Sequence, residues 1–218
     1  IRGREFPLLQ SGRGVGVRVA VVKLPYMSNF TDFAPLELNP EVSFKYATNP
    51  DELDHQDLVI IPGSKNTISD MNYLWKTGFA EKLRSLSTET ALFGICGGYQ
   101  MLGREIRDPH HVESNQEFIE GLGLIDAVTV LEKEKKTGRV EVEALSDSFL
   151  FEKGKKYSGF EIHMGKTAME SSVAHDGVFY RKDNVWGTYL HGIFDSEAFR
   201  RYFLNQLREK KKFPPNCA

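Results

Sequence analysis

Apolar positions in the first half of the chain fall in short, nearly unbroken runs. Val17 to Leu24 is one, Val42 to Ala47 a second, and Asp57 to Ile61 (Asp-Leu-Val-Ile-Ile) a third that stops at Pro62-Gly63. Thr90 to Ile95 is a fourth. Short continuous runs bounded by turn residues are what strands buried on both faces show, as in a parallel sheet. Between them, Asn66 to Ser87 has helical composition with a break near Gly78, and Gly97 to Arg104 reads as a helix. The loop from Pro25 to Phe33 precedes a further predicted helix, with Thr31 or Asp32 as candidate caps. Strand alternating with helix predicts an α/β fold: a mostly parallel, doubly wound sheet with flanking helices.

The second half changes period. Leu122 to Leu131, Gly138 to Ala144, Lys156 to His163, Gly177 to Arg181 and Val185 to Leu190 are strand-like with few helices between them, so extra antiparallel strands are expected there. Asp195 to Lys210 is an amphipathic helix with Phe199, Tyr202, Phe203 and Leu207 on one face and Asp195-Ser196 as its cap. Residues 1–16, rich in Gly and Arg, read as a linker or lead-in, residues 17–213 as the domain and 214–218 as a tail. Gly12-Arg13-Gly14-Val15-Gly16 resembles a dinucleotide-binding loop. It precedes a strand where that fingerprint must follow one, so it is rejected.

A chain of 218 residues suits one domain with short appendages. The formal net charge of −2 argues against a nucleic-acid partner, and Lys210-Lys211-Lys212 reads as a solvated helix end. No apolar stretch approaches the roughly 20 residues of a membrane span. With only Cys96 and Cys217, a disulfide framework is not expected and a cytoplasmic location is. The chain opens on Ile, so further polypeptide upstream is expected. His110-His111 and His175 lack zinc-ligand spacing, and no metal site is expected.

One segment changes this picture. Gly94-Ile95-Cys96-Gly97-Gly98-Tyr99-Gln100 lies where a buried strand must turn into a helix. A sharp elbow there lifts one side chain above the carboxyl end of the sheet, and small neighbours permit the strained backbone. A cysteine at that point meets a helix start, which favours thiolate, and backbone N–H groups able to hold an oxyanion. An isolated cysteine is ordinarily a small buried hydrophobe. The flanking glycines, the strand before and the helix after make Cys96 a candidate nucleophile instead.

The Cys96 segment resembles the nucleophile motif of class I glutamine amidotransferases. Four further segments narrow the resemblance to the C-terminal amidotransferase domains of cobyric acid synthases. They are Leu24-Pro25-Tyr26-Met27-Ser28-Asn29-Phe30-Thr31-Asp32-Phe33, Pro62-Gly63-Ser64-Lys65-Asn66-Thr67, Gly159-Phe160-Glu161-Ile162-His163-Met164-Gly165 and Gly187-Thr188-Tyr189-Leu190-His191-Gly192. The resemblance implies glutamine hydrolysis through a thioester on Cys96, with ammonia passed to a synthetase domain that amidates a cobyrinic acid diamide at the expense of ATP. No Gly-x-x-x-x-Gly-Lys-Ser/Thr occurs in the sequence. No cofactor is therefore expected in this domain; ATP, Mg and most of the corrin contacts are expected in the synthetase domain. Other readings are the amidotransferase subunit of another ligase, such as one amidating a cell-wall precursor, a Cys-dependent hydrolase or peptidase on the same fold, and an idle assembly domain.

The resemblance makes His191 the general base and then acid. Many class I enzymes carry Glu two residues beyond that His; here the residue is Ile193, and the nearest downstream carboxylate, Asp195, is expected to cap a helix. A Cys–His dyad without a fixed carboxylate follows as the expectation. Gly63 or Ser64, with Gly97, is the expected backbone oxyanion hole. Gln100, Glu161 and His163 are the candidate glutamine-binding residues, Glu161 for the α-ammonium. Ordinary polar roles on the strand or helix are equally open for them. The Ser28 to Phe33 loop is read as architecture.

Overall fold

The computed structural model describes residues 16–143, 153–169, 174–175 and 179–212. The predicted tail, Cys217 and all of the lead-in except Gly16 lie outside the described residues, as do Ala144 and the start of the Gly177 strand. Twelve strands and five α-helices are described. They are β1 (Val17–Val22), α1 (Ala34–Glu37), β2 (Val42–Ala47), β3 (Leu58–Ile61), α2 (Thr67–Thr77), α3 (Phe79–Leu86), β4 (Ala91–Ile95), α4 (Gly97–Leu102), β5 (Glu105–Arg107), β6 (Phe118–Glu120), β7 (Ala127–Glu143), β8 (Lys156–Met169), β9 (Ala174–His175), β10 (Phe179–Lys182), β11 (Val185–Thr188), β12 (Leu190–His191) and α5 (Glu197–Lys212). Short 3-10 turns cover Phe30–Phe33, Pro50–Leu53 and Ile193–Asp195.

One sheet has the order β2-β1-β3-β4-β11-β10-β9. Its first five strands are parallel, and β10 and β9 add antiparallel at the far edge. The apolar runs become its centre: every residue of β3 and β4 is buried. Residues adjacent along a strand face opposite sides. Phe93 sends its ring to Phe194 and Phe203, while next to it Gly94 leaves room for Gly98 and Leu102 of α4. So α4 and α5 cover opposite faces, as a doubly wound sheet requires. From β1 the chain goes outward to β2 and returns past β1 to β3, which opens a crevice at the carboxyl ends of β1 and β3.

The helices follow their punctuation. Asn66 caps α2 by accepting the Ser69 N–H at 2.9 Å, and Gly78 in the left-handed region (φ 80°) separates α2 from α3. On α5 the buried stripe is Phe199, Phe203, Leu204 and Leu207. Tyr202, expected on that stripe, is only half-buried. Ser196 rather than Asp195 caps the helix: its Oγ accepts the Phe199 N–H at 3.3 Å.

The second sheet has the order β12-β8-β7-β5-β6. The strands expected at Leu122 to Leu131 and Gly138 to Ala144 form the single long β7, with an irregularity between Leu131 and Lys136. The lysines and glutamates of 132–136 disguise it as a loop in the sequence, because both faces of that stretch project into solvent. β5 and β6 were not predicted; three residues each are too few to show a period. Among the described residues no helix is long and apolar enough to cross a membrane.

Candidate active site

Four polypeptide turns converge at the carboxyl edge of the parallel strands: 23–33 after β1, 62–66 after β3, 96–97 after β4 and 189–192 after β11. Cys96 occupies the third. Its φ of 53° and ψ of −109° make it one of the few non-glycine residues with positive φ. Such strain persists only where neighbours over-determine it. Here the Cys96 N–H donates to Thr188 O at 2.7 Å, and Cys96 O accepts the Gln100 N–H at 3.1 Å. The turn also needs the close approach of α4 to β3: a Cβ on Gly98 would lie 2.0 Å from Ile61 O. Cys96 Sγ stands 3.3 Å from Ile162 O on β8, a contact open to the thiol but not to the thiolate.

His191 is 4% exposed and lies across the crevice from Cys96. A Cβ built on Gly63 would sit 3.2 Å from His191 Cε1 and 3.7 Å from Cys96 Cβ, so Gly63 forms the floor between the two side chains. Gly97 opens α4, where the first N–H groups have no helical acceptor. Its Cα runs beside Ser64: an added Cβ would lie 2.9 Å from Ser64 N. The structure thus brings Cys96, His191, Gly63, Ser64 and Gly97 together.

The expected dyad is corrected. His191 Nδ1 is 2.7 Å from Asp32 Oδ2, and the Gly192 N–H donates to Asp32 Oδ1 at 3.0 Å. Asp32 is itself buried, whereas Asp195 is exposed. The Asn29 carboxamide also reaches 2.8 Å from Nδ1. An Nδ1–H goes to the carboxylate, since charge-assisted hydrogen bonds are roughly twice as strong as neutral ones. Burial pushes the His191 pKa down, but its hydrogen bonds to Asp32 and Cys96, and their charges, outweigh burial and raise it to about 9. The Ser28 to Phe33 loop is therefore part of the site. The signal was present in the sequence: a polar cluster directly beyond the carboxyl end of a buried parallel strand.

Of the three candidate glutamine-binding residues, Gln100 lies on α4 and Glu161 and His163 lie on β8. Gln100 is 3% exposed and its amide is engaged within the protein: Oε1 accepts from Thr67 Oγ1 at 3.2 Å and Nε2 donates to the Tyr189 hydroxyl at 3.3 Å. Tyr189 continues to Thr167 at 2.5 Å. Glu161 is buried and paired with Lys136 across the β7–β8 ribbon. His163 donates from Nδ1 to Gly165 O at 2.8 Å and stacks on Tyr189 with ring centroids 3.8 Å apart. Burial lowers its pKa, so the ring is neutral and Nε2 is an acceptor. Thr67 and Tyr189 fall inside segments that carry the resemblance but received no role from it, and Lys136 lies in the charged run 132–136, which has no distinctive spacing.

A family model described as the CobB/CobQ-like glutamine amidotransferase domain matches residues 18–199. A cobyric acid synthase of Clostridium botulinum (strain Loch Maree / Type A3) is 42% identical over 210 residues, which is 89% of this chain and 42% of that protein. The cobyric acid synthase of Streptococcus sanguinis (strain SK36) is 43% identical over 213 residues, 90% of this chain and 41% of its own length. The chain thus spans about two-fifths of these relatives. Among solved structures, PurLQS from Thermotoga maritima matches with a TM-score of 0.68 at 19% identity, over 88% of this chain and 99% of that one. A glutamine amidotransferase crystal structure matches with a TM-score of 0.63 at 19% identity, over 89% of this chain and 100% of the other. At such identities the structural matches speak for the fold alone.

Proposed function

The chain belongs to the CobB/CobQ-like glutamine amidotransferase domains, and from that membership we propose that it is the glutamine-hydrolysing part of a cobyric acid synthase. The observation that carries the reading is the elbow: Cys96 at φ 53° above the sheet with the His191 ring beside it across Gly63.

In this reading the Cys96 thiol gives its proton to His191 Nε2 and the sulfur attacks the side-chain carbonyl carbon of glutamine. The oxyanion that forms is held by backbone N–H groups of Gly63 or Ser64 and of Gly97; donors fixed in advance cost no reorganisation at that moment. His191 then protonates the departing nitrogen, which leaves as ammonia, and a glutamyl thioester remains. Water, deprotonated by the same imidazole, attacks the thioester and releases glutamate and the thiol. Glu161 and His163 on β8 supply the wall for the amino-acid end of glutamine, Glu161 balancing the α-ammonium in competition with Lys136. Gln100 acts at second hand, bracing that wall through Thr67 and Tyr189.

Ammonia passes to an ATP-dependent synthetase portion, the part of the longer relatives that this chain does not span. There ATP and Mg drive amidation of a cobyrinic acid diamide. A reducing cytoplasm suits the free thiol on which the chemistry depends.

The test is Cys96→Ser in the presence of the synthetase portion. Glutamine-dependent amidation is expected to vanish while ammonia-dependent amidation persists, and a glutamine-analogue electrophile is expected to label the wild-type chain at Cys96 alone. Absence of both labelling and glutamine turnover would end the reading.

A further inference from the structure

We propose that Asp32 is the positioning residue of this site: a carboxylate delivered from the turn after β1, not from the strand that carries His191, which fixes the orientation and tautomer of that ring. The proposal rests on the reading of Cys96 and His191 as the reacting pair.

Both oxygens of Asp32 are committed to one target. Oδ2 meets His191 Nδ1 at 2.7 Å and Oδ1 accepts the backbone N–H of Gly192 at 3.0 Å. Gripping a ring and the peptide next to it removes both the χ freedom of His191 and the hinge freedom of its backbone. The pair is buried, with side-chain exposures of 4% and 6%, so water does not compete for the bond. An Nδ1–H pinned to a carboxylate leaves Nε2 as the basic nitrogen, directed at Cys96, and the same negative charge stabilises the imidazolium formed when Nε2 takes the thiol proton. Asp32 itself gains and loses no proton in this scheme.

The turn that carries Asp32 is held from both sides. Asn29 adopts the left-handed conformation at φ 52°, and its carbonyl accepts the Asp32 N–H at 2.9 Å. Upstream, the Ser28 N–H donates to Gly63 O and the Lys65 N–H to Tyr26 O, both at 2.9 Å. The buried Asp70 ties the same two turns from α2: Oδ1 accepts the Tyr26 N–H at 3.0 Å and Oδ2 accepts from Ser64 Oγ at 2.5 Å. The base-holding turn and the Gly63–Ser64 turn therefore form one unit. Asp195, in the Ile193–Asp195 turn, is exposed.

The groups that face His191 are Asp32 from the first turn, Cys96 from the elbow and His163 from β8, the last a neutral ring that opposes a second positive charge. Glu161 on β8 is occupied by Lys136. Of these titratable groups Asp32 is the one that contacts Nδ1, where its other neighbour is the uncharged Asn29 carboxamide at 2.8 Å.

The experiment compares wild type, Asp32→Asn and Asp195→Asn in three readouts: kcat and KM for glutamine with the synthetase portion present, the pH profile of Cys96 alkylation by iodoacetamide, and circular dichroism for fold. Asp32→Asn is expected to lower kcat by about 10²-fold or more with KM little changed. It is also expected to move the alkylation profile to higher pH, because the imidazolium partner of the thiolate is lost. Asp195→Asn is expected to leave both as in wild type. A folded Asp32→Asn chain with wild-type kcat and alkylation profile overturns the proposal. Should that variant fail to fold, imidazole nitrogen NMR on wild type decides. A neutral ring that keeps its proton on Nδ1 above the folded pKa of about 9 supports the assignment, and a neutral ring protonated on Nε2 there overturns it. Alkylation and NMR read Asp32 even if glutamine proves not to be the substrate, so the two readings fail separately.

Discussion

The elbow region of β3, β4 and α4 and the long ribbon of β7 and β8 face each other across Cys96, and they are built by opposite rules. In the elbow region every residue of β3, β4 and α4 is buried. Backbone approaches backbone wherever a glycine permits. In the ribbon, β7 alternates buried and half-buried positions only from Ala127 to Leu131 and then runs exposed or half-buried to Glu143. Its pairing with β8 continues through an irregularity between Leu131 and Lys136. One region therefore fixes a strained nucleophile and cannot give; the other supplies a wall whose outer reach is held mainly by ladder hydrogen bonds and surface ion pairs such as Lys156–Glu141. The site combines an anvil with a cover, and the chain's tolerance of change should split along that line.

The largest effect is expected from Gly98→Ala. The new Cβ would stand 2.0 Å from Ile61 O and 2.8 Å from Pro62 O, both main-chain atoms that cannot rotate away. Overpacking of a tight interior costs about 1–3 kcal/mol and here the upper end or more is expected, since relief requires α4 to part from β3. Denaturant unfolding should show the loss, and iodoacetamide labelling of Cys96 should show that the elbow has moved. A Gly98→Ala chain of wild-type stability would mean that the elbow region yields as the ribbon does.

Legibility divides the same way. Continuous apolar runs gave away the parallel strands: β2 was expected at the bounds it has, and β3 starts one residue after its expected Asp57. Gly78 announced the break between α2 and α3 because a left-handed residue is needed there. The elbow was readable because its glycines sit at fixed offsets from Cys96, each clearing a particular backbone contact. The sequence pattern divides the ribbon in two, since Glu132 to Lys136 carries no period when both faces meet water. Asp32 was missed for a different reason. Its partner His191 is 159 positions away in sequence, and a search near the histidine can only find Ile193 and Asp195. Partnership across a sheet's crevice is set by strand order, which no local spacing reports.

The pH dependence of stability probes the seam between the two regions, where His191 sits. Its folded pKa is raised to about 9, well above the unfolded value of about 6.5. The sign follows from linkage: a raised pKa stabilises the fold fully below the unfolded value, and that increment is lost as pH climbs through the folded value. The melting temperature of wild type should thus exceed that of a His191→Gln chain by most near pH 6. The corresponding gap in unfolding free energy should narrow between about pH 7 and 10, by the order of 1–3 kcal/mol. A gap that is constant over this range would detach the imidazolium from the stability of the seam and leave only its packing.

The smallest effect is expected from the same alanine substitution placed in the ribbon. Gly138, on β7 opposite Glu161, has no atom within 4 Å of an added Cβ and does not have positive φ. Glycine inside a strand costs about 0.5–1 kcal/mol relative to alanine through the freedom it retains in the unfolded chain. Gly138→Ala should therefore leave the unfolding midpoint unchanged or raise stability by roughly 0.5 kcal/mol, and should leave Cys96 labelling as it was. Gly98 and Gly138 then form a matched pair, one methyl added at each. If Gly138→Ala destabilised the chain as much as Gly98→Ala, the ribbon would have to be as tightly packed as the elbow, and the difference in tolerance between anvil and cover would disappear. If it also slowed alkylation of Cys96, the wall near Glu161 would be coupled to the nucleophile through Ile162, whose carbonyl faces Sγ at 3.3 Å.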